Sequence, residues 1–151
     1  MLRVQLTING YKKELDVKPD EYLLESLRKN NYLSVKKGCD SSSCGVCTVL
    51  LDDSPIASCT YLTVKADGHE ITTVEGIQKE AELIADFFGK EGADQCGYCH
   101  PSLVLTVYAM KKELVKPSDE EIRAYLVGNL CRCSGYLGQH KAIKAYLEVA
   151  V

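Results

Sequence analysis

No run of this sequence is apolar for long enough to span a bilayer, and no block of lysine or arginine interrupts it. The first absence argues against a helical membrane anchor. The second, together with a formal net charge of −3, argues against nucleic acid as a partner. The opening segment MLRVQLTING alternates polar and apolar residues, with no apolar h-region and no cleavage site. It does not read as a signal peptide, so the chain is expected in the cytoplasm. A catalytic constellation is missing too: there is no Ser/His/Asp set and no glycine loop to cradle phosphate. No residue qualifies as an acid, base or nucleophile toward a substrate, so no catalytic residue is assigned.

What is present is thiol. Of 151 residues, 46% are hydrophobic and 26% charged, ordinary for a soluble globular protein of one compact or two small domains. Eight cysteines need an explanation: Cys39, Cys44, Cys47, Cys59, Cys96, Cys99, Cys131 and Cys133. Four disulfides would suit a small secreted scaffold, but no secretion signal is apparent and the apolar content can build a core. In a reducing compartment, clustered thiols point to metal.

The pattern changes along the chain. Residues 3–9 read as a strand, Asn9-Gly10 as a two-residue hairpin turn, and 11–17 as the returning strand. A helix follows Pro19-Asp20, with Asp20 as cap and Leu23, Leu24 and Leu27 on one face. Residues 47–52, 56–62 and 69–76 read as further strands. A sheet embracing one helix is an α+β arrangement. Beyond residue 76 the hydrophobic period becomes helical. The first helix presents Ile77, Ala81, Ile84 and Phe88. A second starts at Pro101. The third, over 118–129, carries a Ser118/Glu121 capping box, and the fourth covers 138–149. Two helix–cysteine pair–helix units, offset by about 35 residues, form a weak repeat. The boundary is expected near 74–76, giving domains 1–75 and 76–151.

The first cysteine set is C-x4-C-x2-C, with Cys59 after eleven intervening residues. This is plant-type ferredoxin spacing for a [2Fe–2S] cluster. Such a cluster needs two thiolates per iron and a tight loop aiming N–H groups at its sulfurs. Gly38, Gly45 and Ser41–Ser43 suit that loop, and Cys59 on the next strand completes the cage. A four-thiolate zinc site is the competing reading. The second set, C-x2-C and C-x-C, stands just before helices, whose N-terminal N–H groups favour an anion. Cys131-Arg132-Cys133 is tight for one zinc and suits a binuclear cluster. Four thiols per set leave no need for the histidine ligands of a Rieske centre.

The segments KKGCDSSSCGVCTV, QCGYCHPS and GNLCRCSGY resemble the iron–sulfur subunit of the xanthine dehydrogenase family, the molybdenum hydroxylases, and the resemblance covers essentially the whole chain. It implies a ferredoxin-like β-grasp domain followed by a four-helix bundle domain, each with one [2Fe–2S] cluster. It implies a large partner subunit with a molybdopterin cofactor, often the cytosine dinucleotide, and a medium subunit with FAD. The chain would then relay electrons from molybdenum towards FAD and have no activity alone; the alternative is a free-standing two-cluster ferredoxin. The resemblance places the helical-domain cluster nearest the molybdenum, with Gln95 and Cys133 approaching the pterin. This chain has Ser42, His100 and Ser102 where the family often has glycine, threonine and glycine.

Other residues carry plainer expectations. Tyr98 and Tyr136 are expected to shield the second cluster from water. Arg132 pairs with the cluster or with a carboxylate. His69, His140 and the pairs Lys12-Lys13, Lys36-Lys37 and Lys111-Lys112 are expected on solvated faces.

Overall fold

Alternation at the N-terminus becomes a hairpin. A computed structural model describes residues 1–149; residues 150 and 151, the end of the second expected domain, lie outside the described residues. Strands β1 (Leu2–Ile8) and β2 (Tyr11–Val17) pair antiparallel, Leu2 opposite Val17 and Ile8 opposite Tyr11. Asn9 and Gly10 both take positive φ, 52° and 81°, as a two-residue turn between twisted strands requires. Val4, Leu6 and Ile8 face inward because strand side chains alternate.

Helix α1 (Leu23–Lys29) buries Leu23, Leu24 and Leu27 against this sheet, as expected, but Asp20 is not its cap. The capping position is Tyr22, which makes no side-chain cap bond. The first helical N–H groups instead donate to carbonyls: Leu23 to Tyr61 at 2.8 Å and Leu24 to Ser58 at 3.1 Å. A helix start leaves such donors orphaned, and here a distant backbone segment satisfies them. This also explains why the expected 56–62 strand is cut short. β3 (Thr48–Leu51) pairs with β4 (Ser54–Ala57), after which the chain turns to serve α1. Cys59 therefore lies in a turn and not on a strand. β5 (Glu70–Thr72) is also shorter than expected. Asn9 ends it, accepting from the Thr73 N–H at 2.8 Å, and a 3-10 turn over Val74–Ile77 follows. The sheet order is β2-β1-β5-β3-β4, with β1 and β5 parallel.

Four helices follow: α2 (Gln78–Lys90), α3 (His100–Glu113), α4 (Asp119–Tyr125) and α5 (Leu137–Val149). α2 packs on α3 and α5, and α4 on α3 and α5, around Ile84, Phe88, Val107, Met110, Ile143 and Tyr146. The Ser118/Glu121 capping box is present. α4 ends earlier than the sequence suggests, freeing residues 126–130 to reach the first cysteine loop. α3 also meets the sheet, in an apolar seam of Leu50, Leu105 and Ala109. Among the described residues no helix is long and apolar enough to cross a membrane.

Candidate metal centres

The first three cysteines sit in the irregular segment between α1 and β3. Ser42 (φ 58°) and Gly45 (φ 71°) take the left-handed conformation that lets this loop curl. Gly38 is needed for close packing, since a Cβ there would lie 2.6 Å from Val46 and 3.2 Å from Cys44 Sγ. The curl turns N–H groups towards sulfur. The Cys44 N–H, the Cys44 thiol and the Ser43 N–H bring the Cys39 thiol down to about 6, because donors favour the thiolate. Burial pushes Cys44 and Cys47 upward. Cys59 joins from the turn beside α1. Thus the helix start that lacks a side-chain cap also fixes the fourth thiol.

The second set gathers at two helix starts. Cys99 is the N-cap of α3, and Cys131 and Cys133 precede α5. All four thiols of this set line one cleft of about 390 Å³, together with Arg132 and, from the first set, Cys44. Burial raises Cys99 to about 11. Burial also raises Cys131, but the Ser134 hydroxyl (3.2 Å) and N–H (3.4 Å) outweigh it and hold that thiol at about 7. Tyr98 N–H points at Cys96 Sγ, 3.5 Å away.

Within each set the thiols approach in twos. Cys39 lies beside Cys44 and Cys47 beside Cys59; Cys99 lies beside Cys131 and Cys133 beside Cys96. Among the described residues no three His, Cys, Asp or Glu side chains converge on a single metal position. Mononuclear zinc wants four ligands around one point, whereas each iron of a [2Fe–2S] cluster takes two thiolates. The pairing, the small-residue loop and the N–H donors on sulfur fit two binuclear clusters.

The sets are joined. Leu130 N–H donates to the Cys44 carbonyl at 2.9 Å, linking a first-set thiol residue to the residue before Cys131. Gly45 permits this approach: a Cβ there would run into the Gly128 carbonyl. Tyr98 adds a second tie, its hydroxyl donating to Lys37 O at 2.9 Å while Lys36 Nζ lies 4.7 Å from the ring centroid.

Other expectations fare differently. Gln95 is exposed, with no side-chain hydrogen bond among the described residues, and it does not line the cleft; Cys133 is exposed and does. Tyr98 and Tyr136 remain about half exposed, 46% and 47%; Tyr98 pins one loop to the other, and the Tyr136 hydroxyl accepts the Cys131 N–H at 3.1 Å. Arg132 has no ion pair among the described residues. The lysines are engaged: Lys37 with Asp40, Lys111 with Glu80 and Lys112 with Asp53, at 2.6–2.8 Å. His100 packs at a tilt against Phe88, ring centroids 5.2 Å apart, and lies 3.6 Å from Asp94. Ser102 is buried, its hydroxyl donating to Cys99 O at 2.9 Å. Sequence reasoning missed two residues that touch sulfur, Ser134 and Gln139. The signal for Gln139 was present: it is a polar residue in register with Ala142, Ile143 and Tyr146 on the apolar face of α5.

Comparison with known proteins agrees with this geometry. Residues 6–71 match the 2Fe-2S iron-sulfur cluster binding domain and residues 73–144 the [2Fe-2S] binding domain. The chain is 38% identical over 150 residues to the nicotinate dehydrogenase small FeS subunit of Eubacterium barkeri, covering 97% of this chain and 96% of that one. It is 44% identical over 142 residues to the xanthine dehydrogenase iron-sulfur-binding subunit of Escherichia coli O157:H7, covering 89% and 87%. A chain in the crystal structure of quinoline 2-oxidoreductase from Pseudomonas putida 86 superposes with a TM-score of 0.89 at 37% identity, covering 99% of this chain and 95% of that one. The α+β, ferredoxin-like chain with its two thiol sets belongs to the electron-transferring iron–sulfur small subunits of the xanthine dehydrogenase, or molybdenum hydroxylase, family.

Proposed function

We propose that this chain is the internal relay of a cytoplasmic molybdenum hydroxylase complex, inactive alone, taking electrons from a molybdopterin-bearing large subunit and delivering them towards an FAD-bearing medium subunit. Residues 1–75 form the ferredoxin-like domain and 76–151 a four-helix bundle domain. Cys39, Cys44, Cys47 and Cys59 hold one [2Fe–2S] cluster; Cys96, Cys99, Cys131 and Cys133 hold the other. Such a cluster supplies a site that gains and loses one electron without moving atoms far. The chain's residues hold the clusters, donate N–H groups to their ligand sulfurs and keep the two sites in register. Gln95 and Cys133 face the pterin, in its cytosine dinucleotide form.

The observation that carries the relay reading is the Leu130 N–H···O=C Cys44 bond, which connects the two thiol sets by one short backbone bridge. A permanent partner is favoured over a free-standing carrier by the apolar surface near the second cleft. Leu130, Tyr136 and Leu137 are 46%, 47% and 66% exposed there, and exposed apolar patches mark interfaces.

The order of the clusters is testable in the assembled complex. A serine oxygen is a harder and poorer iron ligand than thiolate. With Cys99→Ser, substrate should no longer reduce the N-terminal cluster. With Cys47→Ser, substrate should still reduce the C-terminal cluster, and only onward transfer to flavin should stall. Rapid-freeze EPR after substrate addition reads both, in variants first verified as folded and assembled. Normal-rate reduction of the N-terminal cluster in the Cys99 variant refutes the order.

A further inference from the structure

Gln139 lies on the buried face of α5, 4% exposed, among Ala142, Ile143, Tyr146 and Leu147. A primary amide in such surroundings is costly unless its polar atoms find partners. Its Nε2 finds Cys99 Sγ, 3.8 Å away, across forty residues of sequence. Cys99 is the most enclosed thiol of the second set, 8% exposed. The other donors to the second set, Ser134 and the N–H groups of Tyr98 and Ser134, serve Cys96 and Cys131 and come from the thiol loops themselves. Among the described residues Gln139 is the one side chain that reaches a sulfur of this set from within a helix.

We propose that Gln139 is a positioning residue that sets the reduction potential of the C-terminal cluster, holding it above the value an apolar residue would give. The inference rests on the reading of Cys99 as a cluster ligand. The physical basis is charge. Reduction adds one electron, and part of that negative charge is carried by the ligand sulfurs. An N–H aimed at sulfur therefore stabilises the reduced form more than the oxidised form. The low-dielectric surroundings strengthen the effect, and so does the fixed backbone of α5, which holds the donor in place. A site that first receives electrons from a partner must be a good acceptor, and this hydrogen bond moves it in that direction.

The test is a redox titration of the loaded chain in its complex, followed by EPR, with both cluster signals read in the same sample. Gln139→Met keeps length and burial but removes the donor. It should disfavour reduction of the C-terminal cluster about tenfold, a fall of about 59 mV for one electron, and leave the N-terminal cluster unmoved. Gln139→Leu, apolar and likewise without a donor, should lower the midpoint as Gln139→Met does. If one of the two variants does not load its cluster, the other decides. A merely structural role would lower the melting temperature without moving the midpoint. An unchanged midpoint in Gln139→Met, or an equal shift of both clusters, overturns the inference. If wild-type protein shows no second [2Fe–2S] signal, it is the assignment of the second thiol set that fails.

Discussion

Replacing Gly45 by alanine tests the link between the two thiol sets. Gly45 has φ 71°, and its missing Cβ leaves room for the Gly128 carbonyl. Alanine in the left-handed region costs about 1–2 kcal/mol. The collision must also lift the 128–130 segment, losing the Leu130 N–H···O=C Cys44 bond at a further cost of about 1 kcal/mol. The expected loss is about 2–3 kcal/mol, or roughly 5–10 °C in melting temperature for a chain of this size. Gly68→Ala is the control. Gly68 has φ 77° with nothing within 4 Å of a built Cβ, so it pays only the conformational cost of about 1–2 kcal/mol. Thermal unfolding followed by the visible absorbance of the clusters compares the two, and hydrogen exchange at the Leu130 amide reports the bond directly. Equal melting temperatures, with Leu130 still protected in Gly45→Ala, would refute the docking argument.

The isolated wild-type chain should carry about four irons and four labile sulfides, with two distinguishable EPR signals on reduction; stoichiometric zinc would contradict the site assignment. Ser118→Ala removes the capping box of α4 and should destabilise by about 1 kcal/mol in urea unfolding. Glu21 is buried, and burial alone would raise its carboxyl; hydrogen bonds from Lys29 (2.7 Å) and Ser26 (2.6 Å) overcome this and hold it below its ordinary 4.5. A depressed folded value gives stability that is present above pH 4.5 and fades as pH falls through that lowered value. Glu21→Gln should therefore lose about 1–2 kcal/mol near neutrality, the low end for charge-assisted bonds because Lys29 is exposed to screening solvent. The difference from wild type, measured by urea unfolding across pH, should narrow below that range; a constant difference down to acid would refute it.

Much of this was legible in the residues. The hairpin turn, the capping box, the faces of α1 and α2 and both thiol sets are written in local patterns, because period and turn chemistry act within a few positions. The errors share one cause. Asp20, the overlong 56–62 strand and the overlong third helix of the second half were read locally, whereas distant backbone groups decided each. The α1 donors take the carbonyls of Ser58 and Tyr61, and the 126–130 segment leaves its helix to meet Cys44. Side-chain roles that depend on packing were equally hidden. Lys37 and Lys112 do lie on solvated faces, paired with Asp40 and Asp53, but Lys111 looks like surface charge only until Glu80 is placed opposite it, both side chains about 30% exposed. Gln139 was visible only as a misfit on an apolar face; nothing in its neighbours names Cys99 as the partner.

Helix α3 bears on how the molecule comes apart. It has no wholly wet side: Leu103, Val107 and Met110 face the other helices, while Leu105 and Ala109 press on Leu50 of the sheet. Pulling the halves apart would strand that strip in water. Cooperativity therefore runs through α3, and damage at either thiol set is felt by the other half as lost hydrophobic support. A chain severed at the junction would yield two fragments, each with an adhesive scar, prone to recombine with each other or to aggregate.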